Sequence, residues 1–312
     1  MQLAICTDVF ADLSYTEMLD KVKSLGIDAV EMTAGGWGAR KHCNTAELLA
    51  DDKKLDLFKE ELARRNMRIS ALNTSCNPLW PSKTGEEYKQ SMYDCARLAG
   101  KLGVKKIVAM AGLPAGNETD TTPNWITSTV SWPDFMAPAY EYQWKVTIEF
   151  WRKFAAHCKE CKVEQIAIEE FPGTMVWSAE TMLKLREATD PMIGINLDPS
   201  HMMILGADPI AAVRALEGCI FHVHGKDARI ERGLSDINGI LEPRPVTESS
   251  KRVWNYVAVG CGKDLKWWKE FFSVLSMMGY KGDVSLEMED LTMSVEAGVR
   301  TSIDALEQTI SR

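Results

Sequence analysis

The sequence predicts an α/β protein, a (β/α)8 TIM barrel that forms a single domain over residues 1–312 with long loops after strands 4 and 7. Three observations carry this expectation. Short β-branched or apolar runs alternate with segments of helical period along the whole chain. Eight such runs can be counted, and eight units argue for closure into a ring. The 312 residues contain no linker, low-complexity tract or repeat, which suits one large core better than two small ones. A doubly wound open sheet is the alternative topology.

The runs, in order, are Leu3-Ala-Ile-Cys-Thr7, Ala29-Val-Glu-Met-Thr33, Arg68-Ile-Ser-Ala-Leu-Asn73, Lys106-Ile-Val-Ala-Met-Ala111, Gln165-Ile-Ala-Ile-Glu-Glu170, Ile193-Gly-Ile-Asn-Leu-Asp198, Ile220-Phe-His-Val-His224 and Asp283-Val-Ser-Leu-Glu287. Each precedes a helix candidate. Ser14, Thr84 and Ser178 stand where N-caps are expected, ahead of helices at 15–25, 85–102 and 179–188. Gly26, Gly103 and Gly279 follow helical segments, as expected of the left-handed residue that ends a helix. The stretches 112–140 and 225–262 are long for connections, and long connections are usually lids or binding loops.

Composition narrows the function. The chain carries 36 basic and 44 acidic side chains, a net charge of −8, with 46% apolar and 26% charged residues. Disorder is excluded as the main state. Nucleic acid and anionic membrane are poor partners, because binding to phosphates is driven by Lys and Arg. No apolar stretch reaches the roughly 20 residues of a membrane helix, and Met1-Gln-Leu-Ala-Ile-Cys lacks a signal-peptide pattern. A cytoplasmic location is expected. The eight scattered cysteines read as reduced thiols, and Cys158 and Cys161 form a lone CxxC without the second pair a zinc site needs.

In this fold the chemistry sits at the carboxyl ends of the strands. Runs five to eight end in Glu169-Glu170, Asp198, His224 and Glu287. Carboxylates and one imidazole converging on a barrel mouth suit one divalent ion, with Mn²⁺ as the first expectation and Mg²⁺, Co²⁺ or Zn²⁺ as the others. Strand alternation lets only one of Glu169 and Glu170 face inward. Glu287 and Glu289 share a face if the last strand continues. His222 is expected one layer below His224, and His201 should point back at the site from a turn beyond Asp198. Lys226 and Asp227 are candidates to hold a substrate oxygen, with a surface salt bridge as their plain structural alternative. His42 and Asn73 are further candidate substrate contacts.

Trp37, Trp80, Trp125, Trp132 and Trp177 fall in loops where aromatic faces could pack on a sugar, or simply pack the structure. Trp37 lies in Gly35-Gly36-Trp37-Gly38, which lacks phosphate-binding spacing and is expected to be a flexible pocket loop. Trp144 and Trp151, seven apart in a helical pattern, are expected to pack.

The segments Ile195-Asn-Leu-Asp-Pro-Ser-His201, Phe221-His-Val-His-Gly-Lys-Asp227 and Gly282-Asp-Val-Ser-Leu-Glu-Met-Glu-Asp290 resemble the sugar phosphate isomerase/epimerase family, the xylose isomerase-like barrels. Arg68–Asn73 with Asn77-Pro78, and the stretch from Trp254 to Gly262, resemble its longer bacterial members, so the likeness covers nearly the whole chain. It implies one divalent metal on Glu169, Asp198, His224 and Glu287, with His201 near the substrate. It also implies that Glu169 and Glu287 move the proton, one removing it beside a carbonyl and the other returning it through an enediolate. Where ketose 3-epimerases carry a second substrate-binding acid, this chain has Met175.

A metal-dependent sugar isomerase or epimerase is therefore the leading expectation. A lyase or dehydratase eliminating from a keto-inositol or a 3-keto-glycoside is the alternative. A phosphodiesterase of the abasic-endonuclease type would need more than five histidines and a basic DNA face. A non-catalytic sugar-binding subunit would bind ligand without metal. The expected partner is a small sugar or polyol, with no nucleic acid and no membrane. A homo-oligomer is expected, or a small second subunit such as some eliminating relatives use.

Overall fold

Among residues 1–310, which the computed structural model describes, ten strands form in chain order: β1 Gln2–Cys6, β2 Ala29–Thr33, β3 Arg68–Asn73, β4 Lys106–Met110, β5 Gln165–Glu169, β6 Ile193–Leu197, β7 Ile220–Gly225, β8 Asp227–Ile230, β9 Trp254–Val257 and β10 Asp283–Leu286. The helices are α1 Tyr15–Ser24, α2 Thr45–Ala50, α3 Asp52–Arg64, α4 Lys83–Leu102, α5 Pro133–Glu160, α6 Ala179–Ala188, α7 Pro199–Ile204, α8 Pro209–Ala215, α9 Arg232–Asn238, α10 Leu265–Met277 and α11 Val295–Thr309. Residues 311 and 312, the end of the expected domain, lie outside the described residues.

Eight strands close into a parallel barrel in the order β1-β10-β7-β6-β5-β4-β3-β2. Parallel strands buried on both faces read as apolar runs rather than alternating ones, which is why β2 and β6 are buried at every position. The helices cover the outside, and the apolar cluster between the layers includes Trp151, Phe154, Trp268 and Phe271. Trp144 and Trp151 are buried in that cluster, as their spacing predicts. Met175 is buried there too.

Helix starts follow the expected chemistry with one correction. Ser14 and Glu17 form a reciprocal capping box at α1, and Ser178 caps α6. At α4 the cap is Ser82 rather than Thr84, because the Ser82 hydroxyl accepts the Gly85 N–H and starts the helix two residues ahead of the expected position. Gly26, Gly103 and Gly279 take positive φ at helix ends, at 80°, 74° and 82°.

The connection after β7 also differs from a structureless loop. It holds a two-stranded antiparallel sheet, β8 with β9, in which Ala228 pairs Tyr256. The stretch after β4 remains irregular until Pro133 begins α5. No described helix is long and apolar enough to cross a membrane, and all eight cysteines are free thiols.

Candidate metal centre and active site

The site grows from strand ends. Glu169 closes β5 and faces the barrel interior, while its neighbour Glu170 turns to the other face, as alternation requires. There both Glu170 carboxylate oxygens accept the Asp198 N–H, at 3.1 and 3.3 Å. Burial, then the charges of Asp198 and Glu169, push the Glu170 carboxyl well above its ordinary range.

Asp198 follows β6 and caps α7. Its Oδ1 accepts from Ser200 N and Ser200 Oγ at 2.9 and 2.6 Å, and Pro199 supplies the helical φ of the first position. One turn on, His201 swings back, with Nε2 3.0 Å from Glu169 Oε1. Its Nδ1 takes a 2.9 Å hydrogen bond from the hydroxyl of Tyr256, and Phe171 packs edge-on against its ring. Tyr256 reaches this point only because β9 pairs with β8.

His224 on β7 puts Nδ1 3.2 Å from Glu287 Oε2, 3.6 Å from Asp198 Oδ2 and 3.9 Å from Glu169 Oε2. Donor atoms of Glu169, Asp198, His224 and Glu287 all lie within 4.8 Å of one another. Asp198 Oδ2 and His224 Nδ1 are buried without a hydrogen-bond partner. Buried polar atoms are rarely left so, and two of them facing one point among three carboxylates fit a divalent cation.

The electrostatics agree. Burial opposes charge on His224, but Glu31 and Glu287 outweigh it and hold the imidazole well above the histidine range. A cation at Nδ1 would take the place of that proton. Burial would also raise Glu287, yet Lys226 and then His224 bring it down to about 2. Burial dominates at Glu169, whose carboxyl is raised even though His224 and His201 pull it down.

A cavity of about 450 Å³ opens beside this cluster, lined by Glu169, Glu287, Lys226 and Tyr256 among others. Lys226 Nζ lies 2.8 Å from Glu287 Oε2, 2.6 Å from Glu289 Oε2 and 4.4 Å from the Tyr256 ring centre. Glu289 is thus in the loop beyond β10, not on the strand. Trp37 lines the rim and is 55% exposed. Asn73 lines the cavity as well, but its Nδ2 donates to Glu31 Oε1 at 2.8 Å and its Oδ1 accepts from Ser75 N.

Two candidate contacts lie elsewhere. Asp227 is fully buried and accepts from the backbone N–H groups of Ala228, Gly260, Gly262 and Lys263 and from Trp268 Nε1. Its carboxylate anchors the loop after β9 and has no place in the cavity wall. His42 is buried with Nε2 3.1 Å from the Leu13 carbonyl, outside the cavity lining. In the glycine loop, Gly36 has φ +72° and a Cβ there would meet the Ser75 carbonyl oxygen at 2.1 Å, so its glycine serves close packing rather than flexibility.

Sequence reasoning missed Glu31, Asp8, Thr33 and Tyr256. Asp8 lines the cavity and accepts a hydrogen bond from the Thr33 hydroxyl. Glu31 is buried inside β2, 2.8 Å from His222 Nε2. A lone carboxylate within an otherwise apolar run was the available signal for it. Tyr256 gave none, since its placement depends on the β8–β9 pairing.

The model of the xylose isomerase-like TIM barrel family matches residues 19–309. The chain is 53% identical over 313 residues, covering 100% of both proteins, to the uncharacterized protein YfiH of Bacillus subtilis (strain 168). It is 28% identical over 151 residues, 48% of each protein, to inosose dehydratase of Clostridium tetani (strain Massachusetts / E88). Solved structures share the fold at low identity. The probable 3-DHS dehydratase AsbF of Bacillus anthracis superposes with a TM-score of 0.70 at 17% identity, covering 98% of this chain and 99% of that one. D-psicose 3-epimerase with D-tagatose from Clostridium cellulolyticum H10 gives 0.64 at 15%, covering 99% and 98%. The IOLI protein with a bound zinc atom gives 0.66 at 18%, covering 100% of both. With its closed barrel and a family match spanning nearly all its length, this chain belongs to the xylose isomerase-like TIM barrel family.

Proposed function

We propose that this protein is a divalent-metal-dependent isomerase or epimerase that moves a proton next to the carbonyl of an uncharged sugar or polyol, through an enediolate. The observation that carries the reading is the four-residue donor cluster with two buried atoms at its centre that make no hydrogen bond, Asp198 Oδ2, 3.2 Å from His201 Nε2, and His224 Nδ1. Glu169, Asp198, His224 and Glu287 would hold the ion, and three carboxylates with one imidazole favour Mn²⁺ over softer metals. A bound divalent ion would polarise the substrate carbonyl and stabilise the charge that develops on it.

The protein's own groups do the rest. Glu169 ends β5 and Glu287 directly follows β10, strands three apart in the ring, so they can flank a substrate and serve as the base on one side and the acid on the other. His201 holds Glu169 in place by donating Nε2–H to it, and Tyr256 fixes that tautomer by donating to Nδ1. The wall favours neutral substrates. Lys226 is the one cation lining the cavity among the described residues, and Glu287 and Glu289 already engage it. Asp8, with Thr33, is left to accept a substrate hydroxyl. Eight free thiols suit a reducing compartment, and the proposed location is the cytoplasm.

Solvent deuterium exchange into a panel of keto-sugars, keto-inositols and 3-keto-glycosides, with products identified by NMR, tests this reading. Deuterium at the carbon beside the carbonyl with retention of all hydroxyls is expected. Loss of water or of the glycosidic alcohol would replace the epimerase reading with a lyase. No exchange on any substrate with Mn²⁺, Co²⁺ or Zn²⁺ supplied would reject both.

A further inference from the structure

The ring of His224 has two nitrogens in different surroundings. Around Nδ1 are the carboxylates of Glu287, Asp198 and Glu169 and no hydrogen bond. Around Nε2 are both oxygens of Glu31, at 3.3 and 3.2 Å, and the Asn196 amide nitrogen Nδ2 at 3.1 Å, whose amide must turn over if Nε2 carries the proton. A neutral imidazole carries one N–H, and whichever nitrogen lacks it is the one that can bind a metal. We propose that Glu31 is a positioning residue: by accepting the Nε2–H of His224 it fixes the tautomer and presents Nδ1 to the cation. The proposal rests on the metal-dependent reading above and deepens it.

Glu31 is built for that task. The β2–β3 register shifts between Val30 and Glu31, an irregularity of the kind that re-aims a side chain. From three strands away in the ring, the carboxylate meets β7 across the barrel interior. Asn73 Nδ2 and His222 Nε2 each hold it at 2.8 Å, and Lys106 Nζ backs His222 at 3.4 Å. Asn196 Oδ1 is buried without a partner, and half a turn of that amide gives the same N–H a second acceptor.

One rival arrangement is present in the same residues. Cys6, Glu31 and His224 also bring donor atoms within 4.8 Å, which would use Nε2 as the ligand instead. Zinc titration of the full-length protein, in competition with a chelator, on wild type, Glu31→Gln and Glu31→Leu tests whether Glu31 supports the metal, and the ring nitrogen that binds zinc separates the two arrangements. Expected is a loss of Zn²⁺ affinity of about 10–100-fold in Glu31→Leu, and a smaller loss in Glu31→Gln, which keeps an acceptor oxygen. Long-range ¹H–¹⁵N spectra of the zinc-loaded wild type should show a protonated Nε2 and a metal-bound Nδ1. The reverse assignment overturns the proposal, and so does unchanged affinity in a folded Glu31→Leu. If that variant does not fold, the wild-type spectrum and Glu31→Gln still decide. A wild type that binds none of Zn²⁺, Mn²⁺ and Co²⁺ fails differently, since it removes the metal reading itself.

Discussion

Asp198 shows how one side chain serves two masters at the residue scale. Its Oδ1 is committed to Ser200 at the helix start, which leaves Oδ2 as a single, fixed donor for the cluster. Glu287 shares its Oε2 between Lys226 and His224 and remains 23% exposed on its side chain, facing the cavity. Glu287→Gln should therefore lower solvent-deuterium exchange by at least about 100-fold, the usual worth of a positioned acid or base, with folding unchanged by circular dichroism. Near-wild-type exchange would exclude Glu287 from the proton path. The sequence marks the four donors because they lie at the ends of neighbouring strands; alternation alone leaves Glu169 and Glu170 as alternatives, the family resemblance implies Glu169, and in the structure the Asp198 N–H claims Glu170. It also placed Asp227 among candidate contacts, because nothing in the string reveals that four backbone N–H groups converge on that carboxylate.

At the scale of elements, β2 and β3 match their sequence-read runs residue for residue, since both are apolar stretches bounded by polar turns. The β8–β9 hairpin was invisible. Its strands are four residues each, and no turn signature joins them across the intervening stretch. Start positions of helices offer a sharp check. Ser82→Ala should cost about 1 kcal/mol in urea unfolding, as the loss of an N-cap does, while Thr84→Ala should be nearly neutral. The opposite ranking would restore Thr84 as the cap. Gly36→Ala should cost more, roughly 1–3 kcal/mol, because it adds both positive-φ strain and a clash with the Ser75 carbonyl. A variant as stable as wild type would show that this loop relaxes freely.

Over the whole molecule, the two ends of the barrel have different jobs. The mouth gathers acidic groups that repel one another without a cation. Added Mn²⁺ should therefore raise the melting temperature, by the equivalent of about 2.7 kcal/mol at a hundredfold excess over Kd, and chelation should reverse it. The far end is tied by Arg68, which meets Asp283 Oδ2 at 2.7 Å. Burial raises the Asp283 carboxyl, but Arg68 more than offsets this and holds it below its ordinary value. A depressed folded pKa means the contribution is complete above about pH 4, the unfolded value, and fades as pH falls through the folded one. Asp283→Asn should lose up to about 1 kcal/mol at pH 7, with the gap to wild type closing in acid. A gap that widens in acid would contradict the assignment. The ring itself was legible because the eight-fold alternation leaves few other ways to bury so many apolar strands. The substrate was not, because the cavity wall is assembled from loops that lie far apart in the chain.

That division between rim and ring has an evolutionary corollary. Val9, Trp37, Val246 and Met288 line the cavity, yet none belongs to a barrel strand. Descendants of such a chain can trade one sugar for another by redrawing these excursions while the proton-moving apparatus is inherited intact. Diversifying those four codons alone should accordingly yield new substrate preferences at little expense in folding.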